Sequence, residues 1–282
     1  MCNLFVSLRP PSNSRFVLVV LAIRDEVLDR PTDKADWRDG VLSGIDLQDK
    51  AKGTWFGVNG KGQIGALLSI TQRAHEKRGD ATSRGRIVHN FLRSGKSAEQ
   101  FCDDLIHDSA EYNGFTFVAL EREKDKFTMN SVTNCLVDKI QRIEWPHQEA
   151  VVIGNCPPDR KYKKMERAEL LFSKILSELN EDTTEDELIA SLLGMGRDNV
   201  ECYPDEQLSR QVDEPFCRQL SRIYVRAGTP PSYGTRCLSI FVVSKDGRAR
   251  FCENRLATFS EDCENWATED FSMQLDSFST KL

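Results

Sequence analysis

Two apolar stretches, "NLFVSL" and "RFVLVVLA", stand within the first 23 residues with only "RPPSNS" between them. The Pro-Pro-Ser-Asn-Ser run carries turn chemistry, so the pair predicts two adjacent antiparallel strands. The longest apolar run, Phe16 to Ile23, falls far short of the roughly 20 residues that a membrane helix needs. It reads as a buried strand, and it stops abruptly on three charges, Arg24, Asp25 and Glu26.

The rest of the chain is organised in blocks. A polar stretch, "RDEVLDRPTDKADWRDG", reads as a long loop. "GTWFGVNGKGQIGALLSI" reads as a hairpin, with strands over 54–58 and 64–70 and a turn at "NGKG". Two helices follow. Ile87, Val88, Phe91 and Leu92 are spaced by three and four up to Gly95, and Ser97 can cap the next helix. "YNGFTFVAL" and "KFTMNSVT" read as paired strands. "YKKMERAELLFSKILSEL" carries a stripe of Met165, Ala168, Leu171, Phe172, Ile175, Leu176 and Leu179. "TTEDELIASLLG" is another helix, capped at Thr183 or Thr184 and stopped at Gly194. Four closing strands, "RIYVRA", "CLSIFVVS", "ARFCEN" and "ATEDFSM", include a hairpin turned at Lys-Asp-Gly 245–247. Strands and helices come in groups rather than in β-α alternation. That order excludes a doubly wound parallel sheet and predicts two packed antiparallel sheets with helices on their outer faces.

The charge and cysteine content limit the function classes. Of the 282 residues, 39% are hydrophobic and 29% charged, as expected of a folded soluble protein. The net charge of −6 argues against a non-specific nucleic-acid binder. The nine cysteines form no C-x-x-C pair, and His75, His89, His107 and His147 are scattered, so a structural zinc site is not expected. With no secretory signal visible, free thiols in a reducing compartment are expected. Arg9, Arg15 and Arg24 precede any acid, as in a mitochondrial presequence, but the same stretch reads as two strands of a folded domain and the turn between them. A cytoplasmic protein is expected, with mitochondria as the second location. The closing "TKL" only loosely matches a peroxisomal address.

Cys2 becomes the first residue once Met1 is removed. It then joins a thiol, with a pKa of about 8.5, to an α-amine with a pKa of about 8. The amine can act as a local base for the thiol, and a neighbouring Arg24 favours the thiolate. The short turn between the first two strands brings the end of the second strand back beside Cys2.

Six short motifs keep their order along the chain: "MCNLF" at 1–5, "LAIRDEVLDRP" at 21–31, "LSGID" at 42–46, "GTWFGV" at 53–58, "YNGF" at 112–115 and "YGTR" at 233–236. On these motifs the sequence resembles the NRDE family over nearly its whole length. The resemblance implies one domain over 1–282 with an N-terminal-nucleophile-hydrolase-like αββα sandwich. It implies Cys2 as nucleophile, Arg24 and Asp25 as groups that position its amine, Asn155 as an oxyanion donor and Arg236 as part of the polar cluster. It also implies an intracellular haem-trafficking role, with haem as cargo, links to lipid homeostasis and contact with an organelle membrane. Cys156, in "NCPPD", would then offer haem a thiolate. Two other functions stay open: a Cys2-dependent amidohydrolase, and a protein that binds acyl-coenzyme A or lipid. The basic loop over 73–87 is a candidate landing site for propionates or phosphates. The family's Asn-Arg-Asp-Glu stands here as Ile23-Arg24-Asp25-Glu26. Loss of that asparagine tips the expectation toward a carrier rather than an enzyme.

Overall fold

The second strand organises the fold because both of its faces are buried. In the computed structural model, residues 2–124, 126–214, 216–227, 232–260 and 263–275 are described. Met1 and the C-terminal Thr-Lys-Leu lie outside them. Strand β1 (Asn3–Ser7) pairs antiparallel with β2 (Phe16–Val27), as the sequence predicts. Alternate residues of β2 point to opposite faces. Leu18, Val20 and Ala22 enter the core between two sheets, while Val19, Leu21 and Ile23 enter a second core beneath helices.

Strands β3 (Thr32–Arg38), β4 (Val41–Asp46), β5 (Phe56–Asn59) and β6 (Ile64–Ser69) begin the other sheet. Helices α1 (Ile87–Ser94) and α2 (Ala98–Asp108) follow, and then β7 (Phe115–Glu123), β8 (Lys126–Thr133) and β9 (Arg142–Trp145) complete that sheet. Its order is β3-β4-β5-β6-β7-β8-β9, antiparallel throughout. Strand β10 (Val151–Ile153) returns to β1. Helices α3 (Lys163–Ser177), α4 (Glu185–Gly196), α5 (Glu206–Gln211) and α6 (Phe216–Leu220) come next. Strands β11 (Arg226–Ala227), β12 (Tyr233–Ser244), β13 (Arg248–Ser260) and β14 (Cys263–Gln274) close the first sheet. That sheet runs β10-β1-β2-β12-β13-β14, with β11 on β12.

Three apolar layers hold the sandwich. One lies between the sheets, one between the first sheet and α3 and α4, and one between the second sheet and α1 and α2. This is the αββα arrangement expected of an N-terminal-nucleophile-hydrolase-like fold. The helix boundaries follow local chemistry. Gly95 ends α1 at φ +69°, a left-handed conformation that glycine adopts without steric cost. Ser97 and Thr184 each accept from the third backbone N–H of their helix, with Gln100 and Glu187 closing capping boxes. Helix α4 runs two residues past Gly194. Leu171 and Ile175 are only half-buried, so the α3 stripe is narrower than its spacing suggests. No helix among the described residues is long and apolar enough to cross a membrane.

Two expectations fail. Of "RIYVRA", read as a strand, only Arg226–Ala227 pairs in a sheet. The polar stretch after Arg24 is not a loop: β2 continues to Val27, and 32–38 forms the edge strand β3. Only Ala35 of this strand is fully buried, so it carries no apolar alternation by which to be recognised.

Candidate functional site

The abrupt end of β2 builds one wall of a cleft. Arg24 follows Ala22 on the inter-sheet face, and Asp25 follows Ile23 on the helix face. Cys2 shares the parity of Leu4 and packs against the inter-sheet core. All three line a cleft of about 550 Å³ at the end of the sandwich, together with Asn155, Trp55 and Tyr233. The structure therefore brings Cys2, Arg24, Asp25 and Asn155 to one place.

Each is held by named partners. The Cys2 backbone nitrogen donates to Asn155 Oδ1. Asn155 sits just beyond β10, and its Nδ2 donates to the Ser69 carbonyl, so the side chain spans both sheets. An amide nitrogen has two N–H groups, and only one is used there. Asn155 thus holds the Cys2 nitrogen as an acceptor while its amide nitrogen is anchored on the opposite sheet. Asp25 Oδ1 accepts from the Thr235 hydroxyl at 2.7 Å, and its backbone carbonyl accepts from Tyr233 Oη at 3.0 Å. The Cys2 Sγ lies 4.0 Å from that same carbonyl. Arg24 is buried and lies over the Trp55 ring, with its Cζ 4.3 Å from the centroid. Its Nη2 donates to Asp46 Oδ2 at 3.1 Å and lies 3.6 Å from Glu26. Arg30 Nε reaches the same Asp46 oxygen at 2.7 Å.

Packing around Cys2 pushes its thiol pKa up, and the amino-terminal charge and Arg24 only partly oppose this. The thiol is therefore held in its neutral form near neutral pH. The cleft is polar: Arg24, Arg30, Lys77 and Arg84 line it together with Asp25, Glu26, Asp46 and Asp49. Arg84 comes from the basic 73–87 loop. Burial pushes its pKa down, and it lies close enough to Cys2 to feel a thiolate charge. Gly53 and Gly85 carry that loop across the cleft, with the Thr54 N–H donating to the Gly85 carbonyl at 3.0 Å. A Cβ on Gly53 would lie 2.0 Å from the Gly85 oxygen.

Two expected residues lie elsewhere. Arg236 sits in a register shift of β12 between Thr235 and Cys237, and its guanidinium donates to the Arg30 and Val27 carbonyls. It clamps the β2–β3 turn and does not line the cleft; Tyr233 and Thr235 of the same motif make the contacts to Asp25. Cys156 is 1% exposed, with its Sγ 3.4 Å from Met165 Sδ in the helix-side core. Burial pushes its pKa to about 11, so it offers no accessible thiolate to haem. Sequence reasoning also passed over Asp46, Trp55 and Tyr233, although "LSGID", "GTWFGV" and "YGTR" contain them.

The sequence matches the family described as Transport and Golgi organisation 2 over residues 1–258. The chain belongs to that family. The Transport and Golgi organization 2 homolog of Mus musculus is 28% identical, over 98% of this chain and all of the relative. The Homo sapiens homolog is 26% identical over the same shares. Among solved structures, a mutant conjugated bile acid hydrolase from Clostridium perfringens is similar over 100% of both chains, at 11% identity and a TM-score of 0.43. A Caenorhabditis elegans N-acylethanolamine-hydrolyzing acid amidase ortholog is similar over 68% of this chain and 85% of its own, at 11% identity and a TM-score of 0.38. For this member of the Transport and Golgi organisation 2 family, the cleft at Cys2 is the candidate active site.

Proposed function

We propose that the protein, once Met1 is removed, hydrolyses a small amide or thioester through Cys2 as an N-terminal nucleophile. The observation that carries this reading is the bond from the Cys2 nitrogen to Asn155 Oδ1, beside Asp25 and at the mouth of the cleft. Removal of Met1 turns that nitrogen into an α-amine. One N–H then goes to Asn155, and the lone pair is free to take the thiol proton.

Attack forms a bond from Sγ to the carbonyl carbon as the carbonyl π pair moves onto oxygen. The second Asn155 N–H stabilises that oxyanion. Collapse breaks the bond to the leaving group, which takes the proton held on the α-amine, and leaves an acyl thioester on Cys2. Water activated by the same amine adds to the thioester, releasing the acid and restoring the thiol. Arg24, held by Asp46 and Trp55, keeps a fixed positive charge on the wall of the same cleft and lowers the thiol pKa in part.

The direct test is hydrolysis of a panel of N-acyl amides and acyl thioesters by wild type, Cys2→Ala and Asn155→Ala. Cys2→Ala should abolish turnover, and Asn155→Ala should slow it by about 100-fold or more, the usual cost of losing an oxyanion donor. Equal residual rates in wild type and Cys2→Ala would refute the reading.

Carriage of haem or acyl-coenzyme A is a second reading, favoured by Arg30, Lys77 and Arg84 at the cleft. Such groups bind propionates and phosphates. On that reading Arg84→Ala weakens cargo binding while Cys2→Ala leaves it intact; if neither cargo binds wild type above an unrelated acidic protein, the carrier reading falls.

A further inference from the structure

A second groove, of about 750 Å³, lies where β3, the end of β4 and helix α1 meet, and it shares no lining residue with the Cys2 cleft. Ile45, at the end of β4, and Leu47 and Ala51, in the loop that follows, give it an apolar part. Four cations line it: Arg38 on β3, Lys52 in that loop, Arg86 just before α1 and Arg93 on α1. Two acids line it as well. Asp33 pairs with Arg38 at 2.7 Å, and Asp39 lies 3.4 Å from Arg93. Arg86 and Lys52 are both exposed and have no carboxylate partner among the described residues. Lys52 stands at φ +48°, a left-handed conformation uncommon for a residue with a Cβ, and its Nζ donates to the Leu47 carbonyl at 2.5 Å. His89, half-buried on α1, faces the same groove with its Nε2 3.4 Å from the Ser43 hydroxyl. Burial pushes its pKa down, and Arg93, Arg86 and Arg38 push it further, against Asp39. Positive potential therefore gathers here in a chain whose net charge is −6.

We propose that this groove binds a small organic phosphate, a phosphomonoester whose dianion is matched by Arg86 and Lys52 and whose apolar part lies on Ile45, Leu47 and Ala51. With Arg38 and Arg93 already beside acids, two cations remain. That is the charge of a phosphomonoester near neutral pH, whose second pKa is about 6, and twice that of a carboxylate. A guanidinium also offers a phosphate two parallel N–H donors. The apolar lining asks for more than the bare ion, because free phosphate would leave Ile45, Leu47 and Ala51 in water. The site stands or falls independently of the chemistry at Cys2.

Calorimetric titration of the full chain with hexyl phosphate, hexanoate and inorganic phosphate tests the site. Hexyl phosphate should bind at least about tenfold more tightly than either of the others, and Arg86→Gln/Lys52→Asn should weaken it by about tenfold or more. Both side chains are exposed, so the double variant should unfold at the same denaturant midpoint as wild type. A second readout is the His89 ring, followed by NMR against pH and assigned with His89→Gln. Its pKa should rise when hexyl phosphate binds, because the dianion offsets the arginines that hold it down. No saturable binding of hexyl phosphate up to about 1 mM overturns the proposal, as does equal binding by the double variant or a His89 titration that the ligand leaves unmoved. Flotation with phosphatidylcholine vesicles that contain phosphatidate, by a protein that does not bind hexyl phosphate, would mark a membrane-docking face instead and overturns the ligand site.

Discussion

Replacing Arg24 with methionine should cost about 2–3 kcal/mol of stability, and the figure follows from its surroundings. The guanidinium donates to Asp46 at 3.1 Å in a mostly buried setting, a charge-assisted bond of about 1.5–3 kcal/mol. Its stacking on Trp55 adds about 1–2 kcal/mol where solvent is largely excluded. Against this, Arg30 remains 2.7 Å from Asp46 and keeps that carboxylate compensated, and the methionine stem refills part of the volume. Chemical denaturation of wild type, Arg24→Met, Trp55→Leu and the double variant forms a cycle that isolates the stacking contribution. Arg24→Met should also slow Cys2 alkylation near neutral pH, because the thiolate loses a neighbouring cation. A stability loss below about 0.5 kcal/mol, with unchanged alkylation, would refute the view that Arg24 ties the two sheets together at the Cys2 cleft.

Three other outcomes are expected. Gly53→Ala places a Cβ 2.0 Å from the Gly85 carbonyl oxygen, a backbone clash that no side-chain rotation relieves; it should cost about 1–3 kcal/mol and loosen the Arg84 loop, read as faster amide hydrogen exchange over 82–86. Ile23→Asn restores the family tetrapeptide directly across from Asn3, whose buried amide has no hydrogen-bond partner among the described residues; it should cost about 2–4 kcal/mol, and about 1 kcal/mol more in an Asn3→Ala background, so a cycle without coupling contradicts the pairing. The Arg226 guanidinium holds Glu264 well below the usual carboxylate range, at about 2, assisted by Tyr224 and Trp266. Its folded pKa is depressed, so its stabilisation is complete above the unfolded value of about 4.5 and fades as pH falls toward 2; the stability gap between wild type and Glu264→Gln should close over that window.

The sequence showed most clearly those features that are decided locally. Gly95, Ser97 and Thr184 mark helix ends by their own chemistry, and the β1–β2 hairpin follows from two apolar runs and a turn. Strand β3 was hidden because an edge strand with exposed side chains looks like any polar loop. Cys2, Arg24 and Asp25 could be expected together, since strand pairing brings them close, whereas Asn155 was implied by the family resemblance alone. Arg236 and Cys156 could not be placed, because their facing depends on a register shift and on packing under α3 rather than on spacing. Arg38, Lys52 and Arg93 gave no signal: they stand far apart in sequence, and only the packing of α1 beside β3 and β4 gathers them into one groove.

The central claim, that the mature amine of Cys2 activates its own thiol, is tested most directly by trapping the acyl enzyme. The purified protein is incubated with an activated acyl thioester, quenched in acid, and its N-terminal peptide is weighed by mass spectrometry. The account predicts a peptide that begins at Cys2 and carries one acyl group on sulfur, which disappears on a chase in buffer and is absent from Cys2→Ala. A peptide that still carries Met1, or acylation spread equally over other thiols such as Cys135, Cys202 and Cys263, would contradict it.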